Sequence, residues 1–264
     1  MSKLSEDEAA LVDIAWRAGE ILLRHYANET IDSRKKTDQS PVTAADEEAE
    51  RFILGELKRI APDTAVIAEE EAAQGRLQTI GRRFFLVDPL DGTKEFINRN
   101  GEFTVNIAEI EDGTPVRGVV YAPAMNRLFV GDGKRGASEI ETAPGKAPDL
   151  ARVKPIRARH PSKDGLVAVA SRSHRDSKTE EYLAHYPVKD FVTAGSSLKF
   201  CLVAAGEADI YPRHGRTMEW DTAAGHAVLQ AAGGSVKTLD GGPFVYGKVE
   251  DGFANPFFVA RGLD

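Results

Sequence analysis

Three short stretches place carboxylates where an apolar run stops. Glu69-Glu70-Glu71 follows Ala65-Val66-Ile67-Ala68, and Asp88-Pro89-Leu90-Asp91-Gly92 follows Phe84-Phe85-Leu86-Val87. Asp221, after Glu219-Trp220, opens a segment that runs to Gly233. Taken singly, each has a plain reading. The glutamates can begin a solvated helix, Asp88 and Asp91 can flank a turn set by Pro89 and Gly92, and Asp221 can cap a helix. Should Glu69, Asp88, Asp91 and Asp221 converge, four negative charges share one site. A pair roughly 4 Å apart then repels by about 4 kcal/mol even at an effective dielectric of about 20. Protons or hard divalent cations relieve that repulsion. An all-oxygen donor set with no histidine or cysteine nearby points to Mg²⁺ rather than zinc. Asp88 and Asp91 straddling a proline can bridge two ions, with the Leu90 carbonyl free to add a ligand, and a two-metal site suits in-line phosphoryl transfer.

Competing chemistries fall away on inspection. Gly131-Asp132-Gly133-Lys134-Arg135-Gly136 matches the dinucleotide fingerprint, but the following residues are polar and broken by Pro144-Gly145, so a hairpin loop is expected. No Gly-Lys pair precedes Ser or Thr, which removes a P-loop, and there is no Gly-x-Ser-x-Gly elbow. Cys201 lacks an arginine six residues on and sits in an apolar run, as a core residue would. The six histidines lack zinc-site spacing. A net charge of −7 argues against sequence-independent nucleic-acid binding, which needs a basic face. One cysteine implies no disulfide framework and a reducing compartment. The N-terminus lacks a signal-like apolar region, and no run of about 18 apolar residues could span a membrane. A soluble, cytoplasmic protein is expected, with peripheral contact at the inner membrane left open.

The elements that must position these acids can be read from periodicity. Ser5 and Glu8 form a capping box ahead of Leu11, Ile14, Ala15, Ala18 and Leu22 at helical spacing. A second helix is predicted over 44–60, with Ala45, Ala49, Phe52, Ile53 and Leu57 inward. Strands are predicted at 65–68, 84–87, 103–107, 116–121 and 128–130, the last three as a meander. Residues 136–163 turn polar and are read as a boundary zone. Beyond it, strands at 166–170, 191–194, 208–211, 236–239 and 257–260 alternate with helices at 178–185, 197–205 and 221–232. With 264 residues, 42% of them hydrophobic, a sizeable core is available. The expectation is a layered α/β fold in two halves: an α+β half over 1–150 and an α/β half over 151–264.

Glu69-Glu70, Asp88-Pro89-Leu90-Asp91-Gly92-Thr93 and Trp220-Asp221-Thr222-Ala223-Ala224-Gly225 together resemble the three signatures of the Mg²⁺-dependent, lithium-sensitive phosphatases. That superfamily includes inositol monophosphatase, fructose-1,6-bisphosphatase and the 3'(2'),5'-bisphosphate nucleotidases. The motifs occur in the right order across residues 36–234. Ala68 departs from the usual glycine before the glutamates, a small change. The resemblance implies a fold of alternating helix and sheet layers, two or three Mg²⁺ ions, and Glu69, Asp88, the Leu90 carbonyl, Asp91 and Asp221 as their ligands. It also implies that Asp46 and Thr93 orient and deprotonate the attacking water, with Glu69 beside them in catalysis. Asp46 has a second reading, since Thr43-x-x-Asp46 fits a capping box; both can hold.

Lys36-Thr37-Asp38-Gln39-Ser40-Pro41-Val42-Thr43, Ser171-Arg172-Ser173-His174 and Gly195-Ser196-Ser197-Leu198-Lys199 are similar to segments of the bisphosphate nucleotidases, in their bacterial CysQ type. This implies a nucleotide held by Glu69, Leu90, Asp91, Gly92, Thr93 and Asp221 at the reacting phosphate. His174, Ser196, Lys199 and Arg213 would lie near the rest of it, though His174 and Arg213 also read as ordinary surface residues. The expected activity is removal of the 3'-phosphate from adenosine 3',5'-bisphosphate to give AMP, with the sulfated nucleotide as a second substrate, in sulfur assimilation or nucleotide recycling. An inositol monophosphatase is the rival enzyme, and a regulator binding a protein or RNA partner the rival of another class. Monomer and homodimer both remain open.

Overall fold

The computed structural model describes residues 4–31, 33–35, 41–171 and 177–263. In chain order the helices are α1 (Glu6–Tyr26), α2 (Ala44–Ile60), α3 (Glu69–Ala73), α4 (Thr93–Ile97), α5 (Ser177–Leu183), α6 (Leu198–Ala204) and α7 (Glu219–Ala231). The strands are β1 (Ser33–Lys35), β2 (Pro41–Thr43), β3 (Ala65–Ala68), β4 (Arg83–Asp91), β5 (Thr104–Glu111), β6 (Thr114–Ala122) and β7 (Arg127–Asp132). There follow β8 (Gly136–Glu141), β9 (Val153–Ile156), β10 (Leu166–Ser171), β11 (Val188–Ala194), β12 (Ile210–Arg213), β13 (Ser235–Thr238) and β14 (Phe258–Arg261).

Side-chain alternation along β4 sets the layering. Phe85 and Val87 point into a cluster with Leu11, Ile14, Ala18, Ile53 and Leu57 of α1 and α2. Phe84 and Leu86 point the other way, into a core shared with α6, α7 and one face of a second sheet. The far face of that second sheet carries a small cluster with Leu183 of α5. The layers therefore run α1–α2, seven-stranded sheet, α6–α7, five-stranded sheet, α5. The first sheet has the order β3-β4-β5-β6-β7-β8-β9 and the second β11-β10-β12-β14-β13. In the first only β3 and β4 run parallel; the second is mixed, as expected of alternating strands and helices.

α7 lies unusually close to the first sheet. A methyl group added to Gly118 on β6 would come within 2.6 Å of the Ala224 carbonyl oxygen, and one on Gly131 within 2.6 Å of Val228 Cα. Only residues without a β-carbon permit that approach.

Several expectations need correction. The zone from Gly136, read as a boundary between the halves, carries two strands: β8 and β9 extend the first sheet through Ile156. Gly131 to Gly136 is the expected hairpin, joining β7 to β8. The strand expected at 208–211 is shifted to Ile210–Arg213. The short β1–β2 hairpin and α4 carry too little periodicity to be seen in advance.

Candidate active site

Register brings the first acids together. β3 pairs in parallel with β4, Ala68 opposite Val87, so Glu69 and Asp88 leave the two strands side by side. Asp88 and Asp91 are not in a turn beyond β4. Asp88 pairs with Asn106 and Asp91 with Thr104 on β5, and the register shift between them bulges Pro89 and Leu90 out of the ladder. A bulge of this kind re-aims side chains without ending the strand. Gly92, at φ 91°, then turns the chain into α4, a conformation that favours glycine. The third contribution comes from the start of α7, where Asp221 accepts from the Met218 backbone N–H at 2.8 Å.

Carboxylate oxygens of Glu69, Asp88 and Asp221 lie within 4.8 Å of one another, a grouping that could hold a metal ion. Asp91 lines the same cleft. Burial pushes the Asp88 and Asp221 carboxyls well above the usual range, and the neighbouring carboxylates push them further. Burial raises Asp91 as well, against the pull of Lys199 and of a hydrogen bond from Ser197. Oxygen-only donors that resist ionising beside one another fit a hard divalent cation, which would restore their charge.

Asp46 divides its two oxygens between structure and site. Oδ2 accepts from the Thr43 backbone N–H at 2.8 Å and from Thr43 Oγ1 at 2.6 Å, completing the capping box of α2. Oδ1 lies 3.3 Å from Thr93 Oγ1, whose other neighbour is the Leu90 carbonyl at 3.4 Å. The capping box is thus made by one oxygen, and the other is left toward Thr93.

Cations line the same cleft. Lys199, Arg213 and Ser196 line it, joined by Lys94 and Arg216, which the sequence did not single out. Lys199 is buried, and burial pushes its ammonium down to about 8 against the opposing pull of Asp91. Its Nζ stands 5.5 Å from the centre of the Tyr211 ring. Ser196 Oγ and Arg213 Nε are buried with no hydrogen-bond partner among the described residues, and Ser196 holds a left-handed φ of 45°. Such backbone strain in a non-glycine residue clusters at functional sites. His174 and residues 36–40 lie outside the described residues.

Sequence reasoning missed the groups behind Asp91. Ser197 Oγ lies 2.8 Å from Asp91 Oδ2 and 2.7 Å from the Asp221 carbonyl, and it accepts from Asn106 Nδ2 at 2.8 Å. One hydroxyl thus ties a β4 acid to the first turn of α7. Asn106 left a faint signal, a polar residue between Val105 and Ile107.

Layered sheets and helices around an acidic cleft define a class, and comparison with known proteins identifies it: the chain belongs to the inositol monophosphatase family, whose profile matches residues 3–257. Among curated relatives, the 3'(2'),5'-bisphosphate nucleotidase CysQ of Escherichia coli strain K12 is 44% identical over 247 residues, 93% of this chain and 95% of that protein. The protein of the same name from Buchnera aphidicola is 38% identical over 96% of this chain and 92% of its own. The crystal structure of CysQ from Bacteroides thetaiotaomicron superposes with a TM-score of 0.80 at 37% identity, covering 97% of each chain. An IMPase from Thermotoga maritima gives 0.76 at 26% identity over 95% of this chain and 90% of its own.

Proposed function

We propose that the chain is a Mg²⁺-dependent 3'(2'),5'-bisphosphate nucleotidase, a phosphoric monoester hydrolase that converts adenosine 3',5'-bisphosphate to AMP and phosphate. The observation that carries the reading is one cleft lined both by Glu69, Asp88, Asp91 and Asp221 and by the cations Lys199 and Arg213. A bisphosphate nucleotide has one phosphate for the acids with their metal ions and a second for the cations. The identities support the choice within the family, being higher to the nucleotidases named above than to the Thermotoga IMPase. No helix among the described residues is long and apolar enough to cross a membrane, and we place the protein in the cytoplasm.

In this reading Glu69, Asp88, the Leu90 carbonyl, Asp91 and Asp221 hold two or three Mg²⁺ ions, which would neutralise the reacting phosphate and its leaving oxygen. Thr93 Oγ1, donating to Asp46 Oδ1, accepts from the attacking water and fixes its direction. As the water oxygen bonds to phosphorus in line with the departing 3'-oxygen, its proton passes through Thr93 to Asp46. Asp46 stays aimed because Thr43 holds its second oxygen. Ser196, Lys199 and Arg213 grip the second phosphate with charge-assisted hydrogen bonds. The test is phosphate release from adenosine 3',5'-bisphosphate, its sulfated form and inositol 1-phosphate with Mg²⁺. Faster turnover of inositol 1-phosphate would reassign the chain to an inositol monophosphatase, and no turnover of any ester would leave a binding protein on this fold.

A further inference from the structure

α3 is a five-residue helix with an unsuitable start. Its N-cap is Ala68, which offers no side-chain acceptor, yet Glu70 and Glu71 expose backbone N–H groups in the first turn. An uncapped helix leaves such donors without partners, and a short helix has little of its own to hold it. The acceptor comes from elsewhere. Glu50 on α2 is buried, and its Oε2 accepts from Glu70 N–H at 2.8 Å while its Oε1 accepts from Glu71 N–H at 2.9 Å. A carboxylate twenty residues upstream thus does what a serine or aspartate at position 68 would do in cis.

The placement links two halves of the chemistry. Glu50 and Asp46 are four residues apart on α2, hence on one face of it. Asp46 reaches Thr93, and Glu50 grips the first turn of α3, whose first residue is Glu69. The same helix therefore sets both the group that takes the water's proton and the backbone from which Glu69 projects. We propose that Glu50 is a positioning residue for Glu69, acting as the N-cap that α3 lacks and so setting the site's affinity for its divalent cation. The inference rests on Glu69 being a metal ligand, as argued above.

The test uses the full-length protein and reads three things besides turnover: Mg²⁺ binding by calorimetry, exchange of the Glu70 and Glu71 amide hydrogens in the metal-free protein, and thermal stability. Loss of a group that orients a ligand from behind typically weakens metal binding about 10- to 100-fold. Glu50→Ala should weaken Mg²⁺ binding by that factor and speed exchange at Glu70 and Glu71. Glu50→Gln, which keeps one acceptor oxygen, should fall between. The deciding variant is Glu50→Ala combined with Ala68→Ser. A serine at the extended N-cap position can accept from the same turn, so slow exchange and most of the Mg²⁺ affinity should return. If Glu50→Ala changes neither exchange nor affinity, or if exchange speeds and affinity falls with no recovery on adding Ala68→Ser, Glu50 does not act as the cap. Glu69→Ala, measured alongside, separates the premises: unchanged Mg²⁺ affinity there would remove Glu69 from the metal site and leave the cap itself to the exchange data.

Discussion

In the cleft, Asp88 is buried and Asp221 half-buried among charges of their own sign, and their carboxyls are pushed upward by burial and by one another. Lys199, buried in the wall of the same cleft, faces Asp91, Glu95 and Glu102, whose charges offset part of the cost of burial. The cation is thus compensated in part by the protein itself. The acids have like charges as their main neighbours, and a bound divalent cation would complete their charge balance. This difference separates the groups whose loss should stop the reaction from those whose loss should only redirect it.

The largest effect is expected at Asp91, where acid and cation meet. Asp91→Asn should abolish turnover, because an amide oxygen serves a hard cation poorly, while relief of like-charge repulsion should leave the metal-free protein as stable as before or more so. Near-normal turnover of Asp91→Asn at ordinary Mg²⁺ would show that the acids do not form a two-metal site.

Thr93→Ala comes next. Loss of general-base assistance typically costs about 10²- to 10⁴-fold in rate, so kcat should fall on that scale with KM little moved. A change confined to KM would make Thr93 a substrate contact and move it out of the proton path.

The cations Lys199 and Arg213 should respond more mildly and only to the right substrate. Lys199→Ala or Arg213→Ala removes a charged partner of the second phosphate, worth roughly 1.5–3 kcal/mol, or about ten- to a hundredfold in kcat/KM. The loss should appear with adenosine 3',5'-bisphosphate and be nearly absent with 3'-AMP. Equal losses on both esters would mean that these cations support the acids or the fold, and the two groups would no longer have separate roles.

The smallest effect is on stability. Asp88 and Asp221 hold protons in the folded chain at pH values where the unfolded chain has released them. Their contribution is fully present below the ordinary carboxylate range and is lost as pH rises through the raised folded values. In excess chelator, Tm should therefore fall between mildly acidic and neutral pH. Saturating Mg²⁺ should flatten or reverse the trend. Each kcal/mol corresponds to roughly 2–4 °C for a chain approaching this size. A chelator-treated protein with the same pH profile as the Mg²⁺-loaded one would contradict the assignment of uncompensated charge to the acids.

Glu69, Asp88 and Asp91 were legible in the sequence because they follow runs apolar enough to declare themselves, and Asp221 because it opens a long helical segment. Register was not legible: nothing in Val87-Asp88-Pro89-Leu90-Asp91 says that β4 continues past a bulge rather than ending in a turn, since that depends on Asn106 and Thr104 across the ladder. β8 was missed because only Ala137 and Ile140 are buried in it, too sparse an alternation to rise above the polar residues between them. Glu50 hid for a similar reason. Within Asp46-Glu47-Glu48-Ala49-Glu50 it looks like one more solvated acid, and only the arrival of α3 makes it a buried one. Ser197 stands beside the more conspicuous Ser196, and its meaning appears only when β4 and α7 close around it.

The seating of α7 on Gly118 and Gly131 has a consequence for how Asp221 is placed. Where helix and sheet meet through side chains, a small error at one contact is absorbed by a rotamer at the next. Here backbone rests on backbone, which has no rotamers, so the helix is gauged against the sheet as a part is gauged against a machined stop. A single methyl on either glycine would be transmitted undamped along a rigid rod to its first turn. An error of about 1 Å at a reacting centre can cost about a hundredfold in rate, so the tolerances of this site are set in part by two residues that have no side chain and never approach it.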